Sequence, residues 1–250
     1  MVMNKQQDAF GQQLYDYLNF GTEHAGITER SDGQIDTSGA NSIYFSSFRN
    51  WFGMEKKAIR YVRGRVLDIG SGAGRHSLYL QEKGFDVTGL DNSPLALEVC
   101  RQRGLKKTVL MPFNRINSSI GEFDTVIMMG NNFGLFGNYK RAKRLLRKLH
   151  AMTSKKGRII AASADVYRTD NPVHLAYQEN NRTHGRMSGQ IKIRCRYQKL
   201  ISPWFDYLIV SKPEMENILD GTGWKVSRYI DSDTAYYMAV IDKIKAGDGK

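Results

Sequence analysis

Apolar positions along this chain follow two different periods, and the changes between them outline its elements. Phe10, Leu14, Tyr17 and Leu18 fall at i, i+4, i+7 and i+8, which predicts an amphipathic helix within residues 4–20. Residues 21–42 are rich in Gly, Ser, Thr and Asp and read as a loop. The aromatic-dense stretch Ile43–Phe52 follows, and a helix is expected over Met54–Val62. Short apolar runs then predict strands at Arg65–Ile69, Asp86–Leu90, Thr108–Met111, Phe123–Met129 and Gly157–Ala162. Between them, helical patterns run over Arg75–Lys83, from the Ser93-Pro94 start to Arg103, and over Tyr139–Met152. Strands alternating with helices call for a parallel sheet. Beyond residue 163 the pattern changes. Residues 164–189 are polar and irregular, whereas Ile191–Tyr197 alternates cleanly, as a strand with one wet face does. Trp204–Val210 reads as a further strand, Pro213–Leu219 as a helix, and Trp224–Ile230 with Tyr236–Ile241 as a closing antiparallel pair.

The candidate chemistry lies where the first of the alternating strands ends. Arg65-Val66-Leu67-Asp68-Ile69-Gly70-Ser71-Gly72-Ala73-Gly74-Arg75-His76 is a buried strand, a glycine-rich turn and a helix start. Asp91 stands 23 positions after Asp68, at the end of the next strand. Glycines let a backbone approach a ligand closely, a helix start offers free N–H groups, and an acid after the second strand can accept two ribose hydroxyls. This is the layout of a nucleoside-cofactor site. The dinucleotide fingerprint requires a third glycine at 75 or 77, where Arg75 and Ser77 stand. A leading acid such as Asp68 also suits a zwitterionic amino-acid tail better than a pyrophosphate.

The pattern D-x-G-x-G-x-G from Asp68 to Gly74 resembles motif I of the class I S-adenosylmethionine-dependent methyltransferases. The resemblance covers roughly residues 55–163 and 211–243. It implies an α/β three-layer sandwich with a seven-stranded, mostly parallel sheet whose last strand is antiparallel. To this are added an N-terminal helical cap over 1–54 and an antiparallel β insertion at about 164–210 within a methyltransferase domain over 55–250. It further implies S-adenosyl-L-methionine as cofactor, with Asp68, Gly70, Ser71, Gly72 and Gly74 around its methionyl part and Asp91 on the ribose. Asn92, Phe113 and Asn114 are expected near the adenine. Met111–Asn114 holds no acid where many relatives carry one. Gly130 and Asn131 are expected to complete the cofactor site.

The loop Gly130-Asn131-Asn132-Phe133 lacks the prolines of an [ND]-P-P-[YF] motif and looks like the loop of glycine N-methyltransferase-type enzymes. A small-molecule acceptor is therefore expected, with Asn132, Tyr44, Arg49, His174 and Tyr177 as candidate contacts on the acceptor side. Each also has a plainer reading. Asn is a common turn residue, Tyr44 and its aromatic neighbours suit a core, and His174 suits an exposed loop. Methyl transfer from a sulfonium is an in-line displacement that needs alignment more than a catalytic triad, and no catalytic residue is assigned.

Bulk properties narrow the classes. No run approaches the ~18 apolar residues that span a bilayer, so no membrane partner is expected. The N-terminus lacks the apolar core of a signal peptide, and Cys100 and Cys195 form no metal-type spacing. A cytoplasmic protein without metal is the simplest reading. The net charge of +12 raises RNA as a competing acceptor, although the cations are spread along the chain and no RNA-binding module is evident. A non-catalytic protein that keeps the cofactor site is the remaining alternative.

Overall fold

Helices and strands follow one another as α1 (Ala9–Phe20), β1 (Ile27–Arg30), β2 (Ile35–Thr37), α2 (Ser42–Phe45), α3 (Gly53–Ala58), β3 (Val66–Ile69), α4 (Arg75–Glu82), β4 (Val87–Asp91), α5 (Pro94–Gln102) and β5 (Thr108–Leu110). They continue as β6 (Phe123–Met128), α6 (Tyr139–Ala151), β7 (Thr153–Ala164), α7 (Pro172–Thr183), β8 (Gln190–Tyr197), β9 (Leu200–Ile201), β10 (Phe205–Leu208), α8 (Lys212–Leu219), β11 (Trp224–Asp231) and β12 (Tyr236–Lys243). The computed structural model describes residues 1–37 and 41–244.

The main sheet has seven strands in the order β11-β12-β7-β6-β3-β4-β5. β4 pairs with β5, and β6 with β7, in parallel, whereas β12 runs antiparallel to both β7 and β11. A parallel sheet is buried on both faces, and its strands are correspondingly apolar. Val66, Leu67 and Ile69 of β3 are completely buried. Asp68, between them, is only 2% exposed, so its carboxyl sits where a strand normally keeps apolar groups. A second, antiparallel sheet has the order β10-β8-β1-β2, with β9 against β8.

The chain groups into two units. Unit one comprises Met1–Trp51, Leu67–Arg115 and Lys192–Phe205, and unit two comprises Phe52–Val66, Ile116–Ile191 and the chain from Asp206 onward. In unit one, Leu14 of α1 is buried with Ala73, Ala96 and Val99, and Phe10, Tyr15, Leu18, Tyr44 and Phe45 pack against that cluster. Asp8 caps α1 through the Gly11 N–H at 3.1 Å, and also accepts from the Ser93 hydroxyl at 2.8 Å and the Leu95 N–H at 3.1 Å. One carboxylate thus serves two helix N-termini, where the helix dipole favours negative charge. In unit two, Leu145, Leu146 and Leu149 form the fully buried stripe of α6, and the Trp224 indole donates to the Leu146 carbonyl at 2.9 Å.

Three elements differ from expectation. Residues 21–42 hold the hairpin β1–β2, with Ile27 opposite Thr37, and β1 also pairs with β8, with Thr28 opposite Cys195. Residues 38–40 of that stretch, like 245–250 of the expected domain, lie outside the described residues. The polar stretch 164–189 holds α7, capped by Asn171 and opened by Pro172. The helix expected to Val62 ends at Ala58 and continues as a 3-10 turn over Ile59–Tyr61.

Candidate functional site

The glycine loop leaves β3 at Gly70, whose N–H donates to the Leu90 carbonyl at 2.8 Å and so ties the loop to β4. Gly72 donates to Asp91 Oδ2 at 3.0 Å, and the other carboxylate oxygen accepts from the Ser93 N–H at 3.0 Å. Asp91 therefore holds the loop and the start of α5 together. Burial raises its pKa against those two backbone hydrogen bonds.

The glycines are not equivalent. All of Gly70, Gly72 and Gly74 have positive φ, a region that L side chains rarely adopt. A Cβ on Gly74 would stand 2.9 Å from the Cys100 sulfur, so that glycine is required by the packing of α5. A Cβ on Gly72 would meet nothing nearer than the Phe10 ring at 3.8 Å, so the protein itself leaves the space above Gly72 open. Open space over a loop whose amide is already bonded is the cradle that a ligand portion fits. The Cys100 thiol donates to the Gly72 carbonyl at 3.1 Å, and burial pushes its pKa up to about 12, so it is an inert strut rather than a nucleophile.

Asp68 accepts from the Ser77 hydroxyl at 2.7 Å. Burial raises its pKa to about 7 despite that hydrogen bond, with the nearby Asp91 adding to the rise. A cationic group brought beside it would lower that pKa again and favour the carboxylate. Ser71 is 9% exposed. Immediately after the loop, His76 is 7% exposed and lies edge-on to Trp51 with ring centroids 4.5 Å apart, which places it in the core. Phe48 stacks on Tyr79 at 4.7 Å in the same cluster, so the aromatic run after residue 43 covers the first turns of α4.

The remaining candidates of unit one divide by burial. Phe113 is 8% exposed, whereas Asn114 is exposed. The Asn92 carbonyl accepts from the Met3 N–H at 2.9 Å, and its side-chain amide reaches the Met1 carbonyl at 3.4 Å. Tyr44 lies edge-on to Phe10 at 5.2 Å, and burial raises its pKa. Arg49 is exposed in the 3-10 turn Phe48–Asn50. The sequence places Phe10 only on the apolar face of an amphipathic helix and does not single out Asp8. The structure puts Phe10 beside Gly72 and Asp8 on α5. A Cβ on Gly11 would stand 2.2 Å from the Ser93 hydroxyl, so α1 approaches α5 this closely only with glycine there.

In unit two the loop after β6 carries its own strain. Gly130 and Asn131 have φ of 60° and 68°, and Asn is among the few side chains that tolerate this conformation. The Asn131 carbonyl accepts from the Tyr207 hydroxyl at 2.6 Å, while its buried side-chain Oδ1 has no partner among the described residues. An unpaired buried acceptor is costly, and a ligand N–H would relieve it. Tyr207 escaped sequence reasoning. Gly134 makes room for its ring, since a Cβ there would stand 2.1 Å from Tyr207 Cε1. Asn132 begins the 3-10 turn Asn132–Phe136 and is half-buried. His174 and Tyr177 share one face of α7 instead of lying in a loop, with the His174 Nδ1 3.4 Å from the Thr169 hydroxyl.

The seven-stranded order with an antiparallel β12 is the sheet of the class I S-adenosylmethionine-dependent methyltransferase fold. Residues 66–157 match the family described as a methyltransferase domain. An S-adenosylmethionine-dependent methyltransferase from Bacteroides fragilis, solved in complex with S-adenosyl-L-homocysteine, shares the fold with a TM-score of 0.83. The match covers 97% of this chain and 98% of that one at 23% identity. A glycine/sarcosine N-methyltransferase from Halorhodospira halochloris is 34% identical over 102 residues, 38% of this chain and 38% of its own length. A tRNA (uracil(54)-C(5))-methyltransferase from Pyrococcus horikoshii is 31% identical over 128 residues, 50% of this chain and 30% of its own. The chain thus matches well under half of the length of these curated relatives. Among the described residues no helix is long and apolar enough to cross a membrane.

Proposed function

We propose that this protein binds S-adenosyl-L-methionine and transfers its methyl group to a small-molecule acceptor. The observation that carries the reading is the loop at Gly72, where the protein leaves open space above a backbone fixed by Asp91. Bound there, the cofactor supplies a methyl group on a sulfonium, already activated for displacement. The chain's task is to hold and align. In this reading Gly70, Ser71, Gly72 and Gly74 form the cradle, Asp68 faces the charged amino-acid tail, and Asp91 accepts from the ribose hydroxyls through its remaining lone pairs. Asn92, Phe113 and Asn114 flank the base. From the family pattern we assign Gly130 and Asn131 to the cofactor and Asn132, Tyr44, Arg49, His174 and Tyr177 to the acceptor side. Residues 1–54 act as a cap segment, a role supported by Phe10 next to Gly72.

The glycine/sarcosine N-methyltransferase relatives support an acceptor that is a small amine-bearing acid. The net charge of +12 and the tRNA methyltransferase relative support RNA as the second reading.

Calorimetric titration with S-adenosylmethionine, S-adenosylhomocysteine and NADH tests the cofactor. Micromolar binding of the first two alone is expected, and replacing Asp91 with Ala should weaken it by about 1–3 kcal/mol. Unchanged affinity in that variant would remove the ribose assignment. Transfer of a labelled methyl group to glycine, sarcosine, other amines and RNA then separates the two acceptor readings.

A further inference from the structure

One concave surface of unit two is lined by none of the residues assigned above. It is a groove of about 490 Å³ between the stretch from α3 to Tyr61 and strand β11. Lys57, Arg60 and Tyr61 line it from the first segment, and Arg228, Tyr229 and Asp231 line it from β11. The three cations are exposed, and among the described residues none of them makes an ion pair. The acids nearby are already engaged. Asp231 is 2.6 Å from the Lys212 ammonium, and Asp242 is held by the Arg158 guanidinium at 2.7 and 3.0 Å. Among the described residues the lining thus carries three cations and one carboxylate, Asp231, which is already paired with Lys212, and a net positive groove of this kind attracts multiply charged anions.

Arg228 reaches this position through an irregularity in the sheet. Val226 pairs with Ile241 and Arg228 with Val240, so Ser227 is an extra residue on β11. A bulge re-aims the side chains that follow it. Trp224, before the bulge, is buried and bonded to α6, whereas Arg228, after it, lies with its Cζ 5.6 Å from the centre of the Tyr61 ring. A guanidinium laid on an aromatic face keeps its N–H edge available, and that edge matches two phosphate oxygens. The volume far exceeds that of a bare anion and falls within the range of ligand pockets that hold a sugar and a base as well.

The geometry points to a second binding site, for a phosphate-bearing nucleotide, in the groove formed by Lys57, Arg60, Tyr61 and Arg228. The same chemistry is presented by a free nucleotide and by single-stranded RNA. This inference stands apart from the methyl-transfer reading, because it uses none of those residues.

The test uses the full chain and three probes: a fluorescein-labelled ten-nucleotide single-stranded RNA followed by anisotropy, with AMP and inorganic phosphate as competitors. The triple variant Lys57→Gln/Arg60→Gln/Arg228→Gln is compared with a control of equal charge, Arg101→Gln/Lys106→Gln/Lys107→Gln, on exposed positions of unit one. We expect the groove triple to bind at least about tenfold more weakly. Its log-affinity against log-salt slope should fall by about two, since each lost single-strand phosphate contact removes roughly 0.7. The control should stay within about twofold. Arg228→Glu alone, a single exposed change, should weaken binding in the same direction and provides the test should the triple variant lose its native circular dichroism. Displacement by millimolar AMP would identify a free nucleotide as the source, and binding of RNA without such displacement would identify a strand. Equal losses in both triples, or no binding of RNA, AMP or phosphate, would overturn the proposal.

Discussion

At the scale of single residues, the glycine loop contains two positions with the same backbone geometry and opposite reasons for it. Gly72→Ala introduces a side chain into space that the protein leaves empty, so its stability cost is the backbone strain alone, about 1 kcal/mol. Its S-adenosylmethionine binding should be lost. Gly74→Ala drives a methyl group to 2.9 Å from the Cys100 sulfur, and should cost about 1–3 kcal/mol more through overpacking. Thermal melts together with calorimetry of both variants check this, and a Gly72→Ala protein that binds normally would undo the cradle. Asp68 makes a pH prediction. Its pKa rises from an ordinary 3.8 to about 7 on folding, chiefly because it is buried. Between those values the folded chain holds a proton that the unfolded chain has released, so stability falls as pH rises from about 4 to about 7 and is level on either side. Asp68→Asn lacks this component. Relative to the parent chain, it should gain on the order of 4 kcal/mol between pH 4 and pH 8 in urea melts. A constant difference between the two proteins across that range would show that Asp68 titrates normally.

At the scale of elements, legibility followed the kind of surface each one buries. β3, β4 and β6 were readable because parallel strands bury both faces and spell out apolar runs, and α6 because its buried stripe is leucine. α7 was not, because the residues it buries are Gln178 and Asn181. Gln178 donates to the Val166 carbonyl at 2.8 Å and Asn181 to the Ser188 and Gln190 carbonyls at 3.0 and 2.8 Å, so hydrogen bonds do there what apolar contact does elsewhere. Its cap, Asn171 before Pro172, was the one sequence signal present. The β1–β2 hairpin was hidden for another reason. Ile27-Thr28-Glu29-Arg30 is half-buried throughout, and its pairing with β8 is decided by residues such as Arg194, which bonds Glu29 at 2.8 and 2.9 Å across 165 positions. The site divides in the same way. The contiguous motif of Asp68 to Gly74 with Asp91 could be read, whereas Asp8 and Phe10, which pack on the same unit, arrive from a distant segment. α1 and α5 supply the matching prediction. Asp8→Ala removes one cap from each helix and should cost about 1–2 kcal/mol in urea titration, whereas Asp8→Asn, itself a good cap, should cost less. Equal losses would mean that the charge at the two N-termini matters more than the capping geometry.

At the scale of the whole molecule, the net charge of +12 works against the folded state through self-repulsion. Many of the ion pairs, such as Arg101 with Glu98 and Lys107 with Asp86, are exposed and contribute little. Raising salt from about 10 to 200 mM should therefore raise Tm by about 2–4 °C, the equivalent of roughly 1 kcal/mol for a chain of this size. A fall in Tm over that range would mean that the surface pairs outweigh the repulsion. The long reach of the Asp8 carboxylate has a further consequence, in time. Its hydroxyl partner, Ser93, lies 85 positions further along the chain. At 5–20 residues per second the ribosome needs roughly 4–17 seconds to make that interval. For those seconds α1 exists without the helix that receives it, with Leu14 and Phe10 bare. Apolar surface left bare in a nascent chain is open to misassociation, and the speed of translation through this stretch sets how long it stays so.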